Sequence, residues 1–217
     1  MSDEADSYLT IERDAEVETK VKGSRFIGRA FAVISRENAE ELLAGLCKKE
    51  YDATHHCFGY IIRAENSDGT VENTQDRNIF RYSDDGEPNG SAGKPIYDQI
   101  LGRELVDTLV VVTRYFGGTK LGVGGLVRAY SESAALTLDE SGISRRYHYQ
   151  TIRLQTDFSH YQLLLNLLNS LDGLVEDSQF SDTVSLTVKI RISRVDKFVA
   201  TFTELTHGKG MLERVTE

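Results

Sequence analysis

The sequence has 217 residues, with 25 Lys+Arg against 34 Asp+Glu, giving a formal charge of −9. Its 40% apolar and 27% charged residues are globular values and exclude a disordered or collagen-like chain; no apolar run approaches the roughly 20 residues of a membrane span, and the acidity excludes a globally basic nucleic-acid binder. The two cysteines, Cys47 and Cys57, imply no disulfide framework, and the acidic start Met1-Ser2-Asp3-Glu4 is the reverse of a secretory or mitochondrial leader, so a reducing cytoplasm is the expected location.

Residues 1–18 hold seven acids and one base and read as an acidic leader, solvated and poorly ordered at its start. Two strands follow over 17–33, meeting near Gly23-Ser24. Ser35 caps a helix with Ala39, Leu42, Leu43 and Leu46 on one face, and Cys47 is expected in the core. Residues 56–64 and 107–114 are apolar strands; Leu109-Val110-Val111-Val112 has no wet face and is expected to be buried on both sides. Pro95 starts a short helix to about Leu101. A longer helix runs from about Gly124 to Glu140 and stops at Gly142.

Fifteen of the 18 glycines precede residue 143, which separates a loop-rich domain, 19–143, from a more regular one, 144–217. In the second, Ile152, Leu154 and Thr156 alternate with polar residues. Ser159 and Gln162 form a capping box for a helix carrying Tyr161, Leu164, Leu165 and Leu168. Residues 174–180 and the strict alternation from Val184 to Ile192 form a hairpin. Ser193 caps a helix with Val195, Phe198, Val199 and Phe202 inward, and Met211 to Val215 make a last strand. The order βαββαβ is that of a ferredoxin-like domain, and the whole chain is of α+β class.

The most informative stretch runs from Arg114 through Tyr115, Phe116, Gly117, Gly118, Thr119, Lys120, Gly122, Gly124 and Gly125 to Arg128. Five glycines fall in nine residues, and no acid lies between Asp107 and Glu132. A glycine-rich turn between a buried strand and a helix frees backbone N–H groups for an anion, and the helix dipole favours it. The order is neither that of a P-loop nor that of a dinucleotide fingerprint. The alternative is a tight strand–helix crossing that needs glycine only for its backbone.

Asp84, Asp85 and Glu87 lie in one turn-rich segment. Their spacing does not match an EF-hand, so turn architecture is favoured over a metal site, with a polar cleft expected if this segment folds against the basic glycine loop. In His55-His56-Cys57, period two places His55 and Cys57 on one face and His56 on the other. Cys57 reads as an inert buried thiol rather than a nucleophile. Neither a metal nor a cofactor is implied.

These stretches, with Ser24-Arg25-Phe26-Ile27, Asp52-Ala53-Thr54-His55-His56-Cys57, Ser83-Asp84-Asp85-Gly86-Glu87-Pro88, Ala92-Gly93-Lys94-Pro95-Ile96 and Val112-Thr113-Arg114-Tyr115-Phe116-Gly117-Gly118 through Arg128-Ala129-Tyr130, resemble the IMPACT family in its bacterial two-domain, YigZ-type form. Ser91 stands where Thr is usual and Gly59 where a larger residue or alanine is common. The resemblance implies an N-terminal domain similar to the second domain of a small-subunit ribosomal protein and a C-terminal domain similar to those of elongation factor G. It also implies an association with translation, with RNA, the ribosome or a translation protein as partner. It implies no catalytic residue, and the kinase-restraining role of eukaryotic relatives does not carry over. Three readings remain open: a non-enzymatic RNA- or ribosome-binding regulator, with Tyr115 and Phe116 stacking bases and Lys189 and Arg191 adding contacts; a nucleotide- or phosphate-binding enzyme using the carboxylates and the His pair; and a protein–protein adaptor.

Overall fold

A computed structural model describes residues 6–63 and 78–215. Residues 1–5 of the leader, residue 64 of the predicted 56–64 strand and the last two residues lie outside them. The described chain divides into an N-terminal unit, residues 8–63 with 78–146, and a C-terminal unit, residues 6–7 with 147–215.

In chain order the first unit contains, apart from Ser7 and Tyr147 at the ends of β1 and β7, β1 (Ser7–Ile11), β2 (Ala15–Val21), β3 (Ser24–Ala32), α1 (Arg36–Lys49), β4 (His55–Ile62), β5 (Ile79–Ser83), α2 (Gly93–Leu101), β6 (Thr108–Tyr115), α3 (Val123–Ser141) and β7 (Ile143–Tyr147). Five strands form one sheet in the order β2-β3-β6-β4-β5, all pairs antiparallel. The unbroken apolar run of β6 is buried on both faces, as its sequence predicts. Val110 and Val112 join Cys57, Ile96, Leu126 and Tyr130 beneath α2 and α3, whereas Leu109 and Val111 join Phe58, Tyr60, Ala39 and Leu46 beneath α1.

Two glycines set how closely the helices approach. A Cβ at Gly28 would lie 2.1 Å from Thr137 Oγ1, so the small polar face of α3 sits directly on β3. A Cβ at Gly59 would lie 2.9 Å from the backbone nitrogen of Tyr97, which fixes α2 against β4.

The C-terminal unit contains β8 (Tyr149–Thr156), α4 (Phe158–Ser170), β9 (Leu174–Phe180), β10 (Val184–Arg191), a 3-10 turn (Ile192–Arg194), α5 (Val195–Leu205) and β11 (Met211–Arg214). Its sheet order, β11-β8-β10-β9, is antiparallel throughout. Ile152, Leu154, Val184, Leu186, Val188 and Ile190 pack against Leu164, Leu168, Phe198 and Phe202. The chain is thus a mixed α and β protein with antiparallel sheets.

Four local expectations are corrected. Residues 6–18 are no solvated leader: they enter β1 and β2; β1 itself carries no charge and its Ile11 is fully buried, while the acids of β2 alternate with less exposed residues. Ser159 is not the cap of α4, which starts at Phe158 with Asp157 at the N-cap and no side-chain cap bond. Ser193 does not cap α5 either; its hydroxyl and N–H both donate to Asp6 Oδ2, at 2.5 and 3.2 Å. Cys47 is exposed, since it follows Leu46 on α1 and turns off the apolar face. Ser35 does cap α1, accepting from Asn38 N–H at 3.1 Å. Among the described residues no helix is long and apolar enough to cross a membrane.

Candidate functional site

Register across β3, β6 and β4 aligns Phe26 with Arg114 and Arg114 with His55. Period two therefore puts these three side chains on the α2/α3 face at one end of the sheet. Arg114 is only 5% exposed. Its Nη1 donates to Glu87 Oε1 at 2.5 Å and its Nη2 to Ser24 Oγ at 3.3 Å. Tyr130 Oη, from α3, donates to the same Glu87 oxygen at 2.8 Å. Burial pushes the Tyr130 phenol well above its usual range, so it stays protonated as a donor. Among the described residues Arg114 Nε finds no hydrogen-bond partner. Arg114 was expected to meet an external anion, and Glu87 to line a cleft. Instead each neutralises the other inside the protein, because a buried guanidinium left without a carboxylate would be costly.

The other two carboxylates are architectural. Asp84 Oδ1 accepts from the N–H groups of Ala92 and Gly93 at 2.9 and 2.8 Å, and Oδ2 from Gly90 N–H at 2.9 Å. It therefore supplies the acceptor that the start of α2 lacks from its N-cap, Ala92. Asp85 Oδ2 accepts from His56 N–H at 2.7 Å. Asp85 and Gly86 both have positive φ, 43° and 85°, a turn that carries the chain past His55.

His55 Nδ1 lies 2.7 Å from the Asp85 carbonyl oxygen and so carries the proton, while Nε2 faces Glu87 Oε1 at 3.9 Å. His56, on the opposite face, spans Thr113 Oγ1 and the Glu50 carbonyl, each at 3.2 Å. Among the described residues no group of three His, Cys, Asp or Glu could hold a metal ion.

Cys57 is fully buried and its thiol donates to the Asp84 carbonyl at 3.0 Å; burial pushes its pKa far up. Titration of the native protein with a thiol reagent at mildly alkaline pH should therefore modify Cys47 alone, with Cys57 reacting only after unfolding. Rapid labelling of Cys57 in the folded chain would show that this thiol is open and activated.

The glycine stretch divides into two parts. Gly117 is structural: a Cβ there would sit 1.9 Å from the Gly23 carbonyl carbon, and its N–H donates to Ser24 Oγ at 3.2 Å. Gly118 and Gly122 have φ of 83° and 71°, and a Cβ on either would meet nothing within 4 Å. Phe116, Thr119, Lys120, Gly124 and Arg128 are exposed as well, with Gly125 half-buried beside Leu121.

Helix α3 begins with Gly122 as N-cap, without a side-chain cap bond and without an acid in its first turn. Arg128 Nη1 comes within 3.9 Å of where a Gly124 Cβ would be. A cation thus lies beside the positive end of the helix dipole, and the first turn supplies no carboxylate to offset it.

Tyr115 and Phe116 have different surroundings. Tyr115 faces the α1 side, where Arg25 covers its ring at 4.3 Å, and burial together with Glu50 and Asp52 raises its pKa. Phe116 lies on the Arg114 side, with the guanidinium 5.5 Å from its ring centroid. Its N–H donates to Thr54 Oγ1 at 3.0 Å.

Sequence reasoning did not assign roles to the hydroxyls of Ser24, Thr54 and Tyr130. Each acts on a residue distant along the chain, and no local pattern marks them. In the C-terminal unit, Lys189 pairs with Glu176 at 2.6 Å and Arg191 lies 3.5 Å over the Tyr147 ring, so both expected RNA-contacting cations have internal partners. The open face of that sheet holds a groove of about 810 Å³ lined by residues that include Arg153, Asp177, Thr187 and Glu213.

The pattern of the Impact N-terminal domain matches residues 22–138, and that of a domain of unknown function (DUF1949) matches residues 154–209. The chain belongs to the IMPACT family. It is 34% identical over 204 residues to the IMPACT family member YvyE of Bacillus subtilis (strain 168), covering 94% of this chain and 89% of that one. It is 29% identical over 212 residues to the IMPACT family member YigZ of Escherichia coli (strain K12), covering 98% and 100%. A crystal structure of a hypothetical protein is also similar, with a TM-score of 0.65, 29% identity and 98% of each chain covered. In this IMPACT-family chain the first matched segment contains Ser24, Thr54, His55, Asp84, Glu87, Arg114 and Tyr130, and with them the whole buried cluster and the glycine loop.

Proposed function

We propose that this IMPACT-family chain is a non-enzymatic, translation-associated regulatory protein that binds RNA through the exposed half of its glycine loop. The observation that carries this reading is the bare N-terminus of α3, where Lys120 and Arg128 are exposed and the first turn has neither an acid nor a capping side chain. Such a site favours phosphate. The βαββαβ unit, read as ferredoxin-like and similar to elongation factor G domains, supports a place in translation, as does the reading of the first unit as similar to a ribosomal-protein domain. The enzyme reading has less support, since Asp84 and Glu87 already serve backbone N–H groups, Arg114 and Tyr130.

The double variant Lys120→Glu/Arg128→Glu should keep its fold and lose RNA retention. Each phosphate that is no longer neutralised should flatten the log–log salt dependence by about 0.7. Unchanged RNA binding would remove this loop from the account. Recovery of one stoichiometric protein after nuclease treatment, insensitive to both reversals, would favour an adaptor instead.

A further inference from the structure

We propose that Phe116 is a stacking platform for one unpaired nucleobase, so that the RNA taken by this loop is single-stranded. The inference rests on the RNA reading above and adds what the charges alone do not determine.

Phe116 is 47% exposed, yet its position is tightly set. Thr54 Oγ1 holds its backbone N–H at 3.0 Å. The Arg114 guanidinium, 5.5 Å from its ring centroid, is itself fixed by Glu87 and Ser24. An aromatic ring backed by a buried, hydrogen-bonded guanidinium loses little freedom when a base is laid on it, and base–aromatic stacking is tolerant of sequence.

The next two residues, Gly117 and Gly118, add no side chain, and a Cβ at Gly118 would meet nothing within 4 Å. A ribose and phosphate can therefore approach the backbone directly. Lys120 and Arg128 are exposed farther along the same acid-free segment, available to neighbouring phosphates. Tyr115 is on the other face under Arg25, so one ring of this pair is presented, and one base is stacked. A base within a duplex is already stacked on both sides and shows an isolated surface ring only its edges and backbone.

The test uses the full chain and an oligoadenylate of about 12 nucleotides, within the usual range of single-strand sites, with one 2-aminopurine, free or annealed to oligouridylate. The wild-type protein should bind the single strand more tightly than the duplex and quench the 2-aminopurine. Phe116→Ala should weaken single-strand binding by about tenfold or more, abolish the quenching and leave the salt slope unchanged. Phe116→Trp should restore both affinity and quenching.

If Phe116→Ala binds as the wild type does while the Lys120/Arg128 reversal still acts, stacking is overturned and the phosphate-binding reading stands. Equal affinity for the duplex also overturns it. If no form of the chain retains RNA, both fall.

Discussion

Replacing Glu87 with alanine should destabilise the N-terminal unit by about 3–5 kcal/mol, the usual cost of stranding one member of a buried ion pair. The side chains of Arg114 and Glu87 are 6% and 4% exposed, and Tyr130, fully buried, donates to the same carboxylate oxygen. The substitution therefore orphans a cation and a phenol together, beside an Arg114 Nε that lacks a hydrogen-bond partner among the described residues. Arg114→Met should cost a comparable amount, since it leaves Glu87 as the stranded charge. The double variant Glu87→Ala/Arg114→Met removes both charges and should be clearly more stable than the sum of the two single losses predicts. Urea unfolding followed by circular dichroism measures this, because the chain has no tryptophan to report by fluorescence. Additive losses, or a cost below about 1 kcal/mol for Glu87→Ala, would mean that the pair is solvated and its coupling weak. The same variants bear on Phe116, whose ring loses its backing when the guanidinium is removed.

The second large effect is expected at Asp84. Three backbone N–H groups donate to its carboxylate, and hydrogen bonds to a charged acceptor contribute about 1.5–3 kcal/mol each. Asp84→Ala leaves the start of α2 without an acceptor, so a loss of about 3 kcal/mol or more is expected even after partial hydration. Asp84→Asn keeps one oxygen for Ala92 and Gly93 but turns an amide towards the Gly90 N–H, and should cost less. Both effects should be identical with chelator and with added Mg²⁺. A thermal shift with Mg²⁺ that Asp84→Asn abolishes would reverse the assignment and restore the metal-dependent alternative.

Local periodicity carried most of the second unit. The alternation from Val184 to Arg191 is written by a sheet with one covered face, and the absence of alternation in Leu109–Val112 by a sheet covered on both. β5 was not legible because nearly every one of its residues is exposed, and an edge strand without a buried face writes no period. β2 was read two residues short at its start, and β1 was missed because its five residues, flanked by acids, were counted with the leader.

At the site, the turn role of Asp84 and the burial of Cys57 could be read from composition and context. The fate of Arg114 could not, since Glu87 lies 27 residues away along the chain and arrives only when the sheet forms. The expectation that both Tyr115 and Phe116 are available to stack bases overlooks the strand period. Neighbouring residues of a strand point to opposite faces, so the rule that separates His55 from His56 separates this pair as well.

Asp6 lies at one end of the chain and accepts from Ser193, 187 residues later; its carbonyl also accepts from His148 N–H at 2.8 Å. During synthesis, at about 5–20 residues per second, Ser193 is added roughly 10–40 s after Asp6. Asp6 therefore waits for Ser193 to be made before this hydrogen bond can close. A fragment cut at residue 147 to isolate the C-terminal unit would lack Asp6 and leave the Ser193 N–H and hydroxyl without their acceptor. Its measured stability would then be that of an incomplete fold.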